Sequence, residues 1–563
     1  MPTRHADIWG NLAALLLGLI AFLLFVGWQT LIPANIGWLD SGDRAMHTLG
    51  WMFFRETGWH SPPGLSPDLG IELSSSIAMV DGLPLFALPL KLVAQWLPQP
   101  FQYWGDWFLL SFCLQSLFAY GIARQLEAPR SLALLAAGFA LITPAFLFRV
   151  PMHMALSGHW TILAALYLYV RREPPKLWMW PLLVALTASI HAYLLAMVGA
   201  IWIAALVERL WSGRLGWGRA VAEFAVAVVA TLIVLWLAGF FMGGSLGSYG
   251  YGSYKLNLLW PFLTYGRWSR LFPDLPHTKY DYEGMSFPGI GILALLALAL
   301  FSGALASLTS AIARRWLPLA LMLVLMMVFA FSEKLAFGST ELFTVPLPKW
   351  ASELASTFRS TGRFIWPLLY FITTGAVVLM ARRWQVAVAL PLVFVAFAAQ
   401  VVDSRHGLFD FIHRIGPPAT SWATPFVSPF WERAAAAGYR HIRAIPVINP
   451  GRDWKELGYY AVTHGMDIDS AYLGRNNDAA MDALRATDAK MLATGDFAPD
   501  TIYELDMDSA VEASAHLAPD DLLAIIDGRI ILAKSGAKLV AGLGIDSRPG
   551  FGGGLLPTPW SPL

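Results

Sequence analysis

The sequence predicts an α-helical protein that crosses a membrane many times and carries a small soluble α/β domain at its carboxyl terminus. Of its 563 residues, 56% are hydrophobic, and the mean hydropathy is +0.54. Only 14% are charged, against roughly 25% in soluble proteins, which excludes a soluble globular enzyme. The charge is also divided, because residues 1–401 hold 25 Lys and Arg against 18 Asp and Glu, whereas residues 402–563 hold 14 against 20.

Apolar runs predict the membrane helices. A spanning helix needs about 20 mainly apolar residues, and the runs that meet this test are roughly 9–32, 104–123, 131–148, 158–170, 220–241, 288–306, 317–333, 364–381 and 385–401. The first run follows Arg4 and His5 and has no small-residue cleavage site after it, so we expect an uncleaved first span rather than a signal peptide.

One apolar run, residues 177–207, is too long for one ordinary span and short for two. Charge decides between these alternatives. The short connectors between runs are rich in Arg and Lys, namely 124–130, 171–176, 209–219, 314–315 and 382–383, and the positive-inside rule places all of them in the cytoplasm. They share that side only if 177–207 forms two helices that turn near Ser189 to Ala192, whereas one long tilted helix would break the rule. We therefore predict eleven helices within a membrane domain of residues 1–401.

With the amino terminus inside, the long loops 33–103, 242–288 and 333–363 and everything after residue 401 lie outside. Loops this long are usually functional or independently folded, which favours a site at the outer membrane surface. In residues 402–547 predicted strands alternate with predicted helices, as in a small α/β domain. We expect residues 548–563 to be disordered. The expected strands are 441–448, 471–474, 501–505 and a pair within 522–533 turning at Asp527 and Gly528, and the expected helices are 454–464 and 478–486.

Acidic residues follow the first span. Asp40 and Asp43 come directly after it, and Asp81 stands before a further apolar segment, 85–97. Partial desolvation and nearby cations at the bilayer interface can turn a carboxylate into a general base or a metal ligand. Alternatively, Asp40 and Asp43 simply cap the helix that follows.

That next segment has the pattern of an interfacial helix. His47, Trp51, Phe54 and Arg55 are spaced for an amphipathic helix that lies along the membrane with its aromatic side chains facing lipid. We place Trp51 and Arg55 among the candidate substrate-binding residues.

Polar residues also gather at the outer end of the third span. The ionisable residues there are Arg149, His153 and His159. At membrane level, ionisable side chains cost free energy to bury and usually pair or line a cavity. The two histidines are six residues apart and lack the i, i+4 spacing of a zinc helix, so we expect them to position a substrate or an acidic partner rather than a metal, unless the turn is purely structural. His191, at the predicted hairpin turn, faces the same side.

Two arginines precede the tenth helix. Arg359 and Arg363 are four residues apart and are predicted to share one face of a helix turn. With Ser360 between them they suit bidentate binding of a phosphate at a helix amino terminus. The alternative is ordinary snorkelling of two long side chains at the interface.

The loop 242–288 suits sugar hydroxyls. Asn257, Tyr282 and Glu283 offer hydrogen bonds, with ring stacking from Tyr282, although an ordinary aromatic belt with a surface carboxylate fits equally well. P-loop, GxGxxG and HExxH sequences are absent, which argues against a nucleotide-driven machine and against a zinc hydrolase. The single Cys113 excludes an intramolecular disulfide and a cysteine-based zinc site.

Taken together, these motifs resemble the GT-C superfamily of integral-membrane glycosyltransferases. The motifs are Trp38 to Arg44, Gly50 to Arg55, Asp81 to Pro84, His153 to Trp160, Tyr282 to Gly284 and Phe358 to Arg363. More closely, over roughly residues 9–410, the chain resembles a bacterial family of multi-pass proteins known as a domain of unknown function and placed among GT-C-like enzymes.

The resemblance implies transfer of a sugar from a polyprenyl-phosphate donor to a glycan, lipid or protein acceptor, with inversion, at the outer face of the bacterial cytoplasmic membrane. It implies that Asp43 is the general base or the acid that orients the acceptor, and that Asp40 and Asp81 are supporting acids or metal ligands. It also implies that Arg359 and Arg363 hold the lipid phosphate or pyrophosphate. Some branches use a divalent cation such as Mg²⁺ or Mn²⁺ and others use none, so the metal stays open. No nucleic-acid partner is expected.

Two other classes remain as alternatives. A transporter or flippase of lipid-linked sugars would also need outer arginines, but it would usually show internal repeats or broken charged helices. A non-catalytic membrane scaffold would use the carboxyl-terminal domain to bind a partner. In the transferase, we expect this domain to cover the active site and to help select the acceptor.

Overall fold

The computed structural model describes residues 7–73, 75–242, 250–303, 310–475 and 477–548, with the backbone alone for 310–314. The tail predicted to be disordered, 548–563, lies outside the described residues except for Arg548. The helices are α1 (Ile8–Phe25), α2 (Gly42–Glu56), α3 (Pro84–Leu92), α4 (Trp104–Gln125), α5 (Arg130–Leu141), α6 (Pro144–Leu147), α7 (Trp160–Val170), α8 (Met179–Ala188), α9 (Ala192–Trp211), α10 (Trp217–Leu237), α11 (Ile290–Phe301), α12 (Ser310–Ala330), α13 (Lys349–Ser356), α14 (Trp366–Arg383), α15 (Val386–Asp403), α16 (Arg405–Phe409), α17 (Phe430–Ala436), α18 (Trp454–Thr463), α19 (Asp478–Thr494) and α20 (Met507–Ser514). The strands are β1 (Lys334–Phe337), β2 (Thr340–Thr344), β3 (His441–Ile445), β4 (Asp467–Ile468), β5 (Thr501–Leu505), β6 (Leu522–Ile526) and β7 (Arg529–Ala533).

The chain forms two compact units. The helical unit comprises the described residues of 1–38, 98–235 and 246–420. The α/β unit comprises those of 39–97, 236–245 and 421–563. Most of the first long loop therefore belongs to the same unit as the carboxyl-terminal domain, although more than 300 residues separate them in the sequence.

The membrane character expected from composition is visible in the helices. Within the described residues, six helices are long and apolar enough to cross a membrane, namely Ile8–Phe25, Trp104–Gln125, Ala192–Trp211, Trp217–Leu237, Thr361–Arg383 and Val386–Asp403. Shorter apolar helices cover Arg130–Leu141, Met154–Val170, Met179–Ala188, Ile290–Phe301 and Arg315–Ala330. The count of eleven spans stays a prediction.

The surface of α10 shows how such a helix meets its surroundings. Of its 21 residues only Ala220, Glu223 and Ala227 are buried, and Val221 and Val229 are 64% and 55% exposed. A contiguous exposed apolar surface is unfavourable in water and favourable in lipid. This helix is thus suited to contact with hydrocarbon.

The expected helix hairpin at 177–207 is confirmed as two helices. Helix α8 ends at Ala188 and α9 begins at Ala192, and between them the His191 ring accepts a hydrogen bond from the Tyr193 amide at 3.2 Å. Two other runs are shorter than predicted. The first helix ends at Phe25 because Gly27 adopts a φ of 93°, and the run 131–148 breaks before Pro144 because proline cannot continue the hydrogen-bonded ladder.

The sheet of the α/β unit has the order β4-β3-β5-β7-β6, with β3 parallel to β4 and β5, and β7 antiparallel to β5 and β6. The expected strands at 501–505 and within 522–533 are confirmed, and the strand expected at 441–448 is present but ends at Ile445. The expected strand at 471–474 is wrong. There the Leu473 amide donates to the Asn449 side chain and the Gly474 amide donates to the Met79 carbonyl. These backbone amides therefore do not hydrogen-bond to a neighbouring strand. Helix α19 runs eight residues beyond its expected end at 486.

Buried Asp469 makes the α/β unit sensitive to pH. The residue is 1% exposed, its Oδ1 accepts a hydrogen bond from the Ala444 amide at 2.8 Å, and its Oδ2 lies 3.8 Å from Nη1 of Arg443. Burial raises the pKa of this carboxyl to about 8. The folded unit therefore favours the neutral acid.

Replacing Asp469 with asparagine is expected to stabilise the unit more at pH 8.5 than at pH 5. Because the folded pKa lies above the unfolded value near 3.9, the stability that this group contributes is full below the unfolded pKa and is lost as pH rises through 8. Thermal unfolding of the full chain at both pH values measures this, since 1 kcal/mol shifts Tm by about 2–4 °C in a unit of this size. Equal shifts at the two pH values would contradict the assignment.

Candidate functional site

A buried polar cluster of the helical unit is built around Glu283. This residue lies in a 3₁₀ turn, Asp281–Gly284, and is 4% exposed. Arg149 donates from Nη1 to the Glu283 carboxylate at 3.0 Å and from Nη2 to its backbone carbonyl at 2.7 Å. Arg363 donates to the same carboxylate oxygen from Nε at 3.1 Å and from Nη2 at 2.5 Å. His153 Nε2 lies 3.5 Å from the other oxygen. We call these four residues the Glu283 cluster.

The electrostatics of the cluster keep Glu283 ionised. Burial raises the pKa of its carboxyl, but the charges of Arg149 and Arg363 and the His153 ring outweigh burial and hold the pKa well below its usual value. One carboxylate thus faces two guanidinium groups. The cluster carries an excess positive charge.

Aromatic rings and glycines hold the cluster in place. Arg149, which is fully buried, lies 5.3 Å from the Trp366 ring centre, and Arg363 lies 4.8 Å from that of Tyr193. Gly362 and Gly284 let their two turns touch, because a Cβ at Gly362 would lie 2.8 Å from the Gly284 Cα. The glycine in the Phe358 to Arg363 motif is therefore required by close backbone approach.

Arg359 differs from Arg363. It is partly exposed, its guanidinium lies 5.9 Å from the Tyr254 ring centre, and within the described residues no carboxylate pairs with it. The expectation that both arginines share one face of a helix turn is wrong. The 3₁₀ turn begins at Thr361, so Arg359 precedes it while Arg363 lies inside it and contacts Glu283.

Tyr254, whose ring lies near Arg359, packs against a second tyrosine. The rings of Tyr254 and Tyr280 are 5.0 Å apart, and Tyr282 contacts Phe148 edge-on at 6.2 Å. Burial raises the pKa of Tyr254 and of Tyr282, so both hydroxyls stay protonated and can donate hydrogen bonds. Arg359 and Tyr254 together can bind an oxyanion or a hydroxylated ring.

Other candidates of the helical unit have partners within the protein. The Ser360 amide donates to the Tyr193 hydroxyl at 2.8 Å. His159 is fully buried, with its Nδ1 2.7 Å from the Tyr370 hydroxyl. Asn257, expected to bind sugar hydroxyls, instead donates to Asp281 and to the Gly338 carbonyl and accepts from two backbone amides, because it joins three loops.

The three candidate acids lie in the α/β unit. Asp43 is in the first turn of α2, where the helix dipole favours a carboxylate, and it is partly exposed. The residue at the cap position is Ser41, not Asp40. Asp81 has a φ of 47° and follows Val80, whose carbonyl is 2.8 Å from Nδ1 of His47 on α2. Asp81 is thus tied to α2 through its neighbour.

The expectation that α2 turns its aromatic side chains to lipid is wrong. Trp51 and Phe54 are 1% and 0% exposed, because this face of α2 packs inside the α/β unit. Arg55 donates to the carbonyls of Ala94 and Leu97 at 3.0 and 2.9 Å. The exposed large apolar residues of this loop are Trp59, Leu92 and Trp96.

No group of three or more His, Cys, Asp or Glu side chains that could hold a metal ion occurs in the described part of the chain. The acids therefore do not form a preassembled metal centre there.

The sequence matches a known protein family. A family model described as a domain of unknown function, DUF6311, matches residues 15–405, and the model of its carboxyl-terminal domain matches residues 430–534. The chain belongs to the DUF6311 family. No curated protein is similar enough to count as a match. The resemblance to a domain of unknown function is thereby confirmed.

In this DUF6311 protein, sequence reasoning missed the aromatic residues that hold the arginines. Tyr193, Tyr254 and Trp366 were absent from the candidates, although Tyr193 stands two residues after His191. The sequence could have indicated that Gln115 and Tyr370 are paired, because polar groups within apolar helices usually have a polar partner. They hydrogen-bond each other at 2.8 Å.

Proposed function

We propose that the protein is a membrane glycosyltransferase of GT-C type that takes a sugar from a polyprenyl-phosphate donor. The observation that carries the proposal is Arg359, a cation with no carboxylate partner among the described residues. It lies near the Tyr254 ring and four residues before Arg363 of the Glu283 cluster. Such a group suits the phosphate of a lipid-linked donor, because arginine binds phosphate through paired N–H donors.

The membrane arrangement belongs to this proposal. Six long and several shorter apolar helices support a multi-pass protein. We propose eleven spans with the amino terminus in the cytoplasm, in a bacterial cytoplasmic membrane, and with the carboxyl-terminal domain on the outer side. The basic connectors support this orientation through the positive-inside rule.

The reaction follows from the roles of the residues. The acceptor oxygen bonds to the anomeric carbon while the bond from that carbon to the phosphate oxygen breaks, and its electron pair leaves with the phosphate. The acceptor proton passes to the Asp43 carboxylate. Arg359 stabilises the charge that develops on the phosphate, and attack opposite the leaving group inverts the anomeric centre.

Replacing Asp43 with asparagine is expected to abolish transfer, because an amide cannot accept the proton. The measurement uses purified full chain in detergent with radiolabelled polyprenyl-phosphate sugars, with and without EDTA. Asp482→Asn is the matched control, since Asp482 is a surface residue of α19 whose side chain is 75% exposed.

The outcomes separate the classes. Full activity of Asp43→Asn would remove Asp43 from the chemistry, and loss of wild-type transfer in EDTA would assign a divalent cation to the reaction. No transfer by wild type from any donor, despite tight binding of the lipid, would reject the transferase in favour of transport or a scaffold.

A further inference from the structure

The first long loop and the carboxyl-terminal domain are joined by backbone hydrogen bonds. The Gly70 amide donates to the Ile468 carbonyl at 2.7 Å, and the Ile468 amide donates to the Asp68 carbonyl at 2.9 Å. Leu69 thereby forms a parallel bridge with Ile468 of β4 and extends the edge of the sheet. The loop is part of the α/β fold rather than a separate element.

Helix α2, which carries Asp43, packs within the same unit. Leu49 on α2 is in close contact with α18, since a Cβ added at Gly458 would lie 3.2 Å from the Leu49 Cδ1. On the other side, Gly50 is packed so closely on Val80 that a Cβ there would lie 2.2 Å from its Cγ2. The position of α2 is therefore set by contacts with both the domain and the rest of the loop.

One ion pair fixes the register of loop and domain. Arg443 on β3 donates from both terminal nitrogen atoms to the Glu72 carboxylate, at 3.1 and 2.7 Å. Their side chains are 21% and 45% exposed, so solvent weakens the attraction. A bidentate pair still fixes orientation, and its contribution is to geometry more than to stability.

We infer that the carboxyl-terminal domain positions the Asp43 helix, and that Glu72 and Arg443 are positioning residues for sugar transfer. This inference rests on the proposed function for its kinetic readout. It differs from the expectation that the domain only covers the site and selects the acceptor, because the domain would then act on the rate of transfer for every acceptor.

Variants that reverse one charge, and a double variant that swaps the two charges, test the Glu72–Arg443 pair. Arg443→Glu and Glu72→Arg are each expected to lower kcat by about tenfold to a hundredfold, the range for small misplacements of a reacting group, with KM for the lipid donor unchanged. The double variant restores the pair and should recover most of kcat. Asp482→Arg, which reverses a charge of the surface pair with Arg485, should leave kcat unchanged. Glu72→Gln offers a milder change that keeps the fold.

Hydrogen exchange provides a readout that does not require activity. Amides of α2 should exchange faster in Arg443→Glu and Glu72→Gln than in wild type, while those of α4 stay unchanged. Unaltered exchange and kcat in the single variants, or a double variant that recovers neither, would overturn the inference. Absence of transfer by wild type with faster α2 exchange in the variants would reject the proposed function alone and leave the structural coupling standing.

Discussion

Replacing Glu283 with glutamine is expected to lower the free energy of unfolding of the helical unit by about 3–5 kcal/mol, the range for breaking a buried ion pair from one side. Two guanidinium groups donate to this one carboxylate, and Arg149 is 0% exposed. An amide has the same shape but no charge, so the fully buried Arg149 would lose the carboxylate that balances its charge. Thermal unfolding in detergent should show a large fall in Tm.

The matched control for this variant is Glu353→Gln. Glu353 pairs with Lys349 at 3.8 Å on the surface of α13, with side chains 66% and 91% exposed. Exposed pairs contribute little, so Tm should hardly move. A similar Tm for Glu283→Gln and Glu353→Gln would show that Glu283 is not the counter-ion on which the cluster depends.

A second arm separates charge from packing. Adding Arg149→Met to Glu283→Gln removes the fully buried Arg149 cation together with its carboxylate partner, and replacing both members of a buried pair costs less than removing one of them. The double variant should therefore be more stable than Glu283→Gln alone. Strictly additive losses would contradict an electrostatic origin.

Local sequence patterns predicted the elements well and their assembly poorly. The turn between α8 and α9 followed from the parity of basic connectors, and the strands of the α/β unit followed from apolar runs between turn residues. No local pattern predicted that loop residues 39–97 pack with the carboxyl-terminal domain. The contacts join residues nearly 400 apart, such as Leu69 with Ile468. Hydrophobic periodicity and secondary-structure propensity carry no information on pairing at that distance.

The site shows the same division. Ionisable residues near membrane level were identifiable one by one, since each is expensive to bury. Their partners could not be identified, because Arg363 and Glu283 are 80 residues apart and the residues around each motif do not indicate its partner. Sequence therefore treated Arg363 as equivalent to Arg359, whereas the structure gives Arg363 a carboxylate partner.

That difference predicts opposite behaviour for two neighbouring arginines. Arg359→Gln is expected to leave Tm unchanged, because no buried charge loses its partner. It should weaken transfer from the lipid donor by about 10- to 150-fold, corresponding to the roughly 1.5–3 kcal/mol of a hydrogen bond to a charged group. Arg363→Gln, in contrast, should lower Tm, since it removes one of the two charges that compensate Glu283.

Kinetics of Arg359→Gln would show where the arginine acts. A contact made equally in the ground state and the transition state raises KM alone, whereas a contact that strengthens as charge moves onto the phosphate lowers kcat. Arg270→Gln is the control, because Arg270 is an exposed arginine of the same unit with no carboxylate pair among the described residues. If both variants kept wild-type kcat and KM, Arg359 would not contact the donor phosphate. We expect kcat to fall, because a leaving phosphate gains negative charge as the glycosidic bond breaks and needs a cation most at that moment.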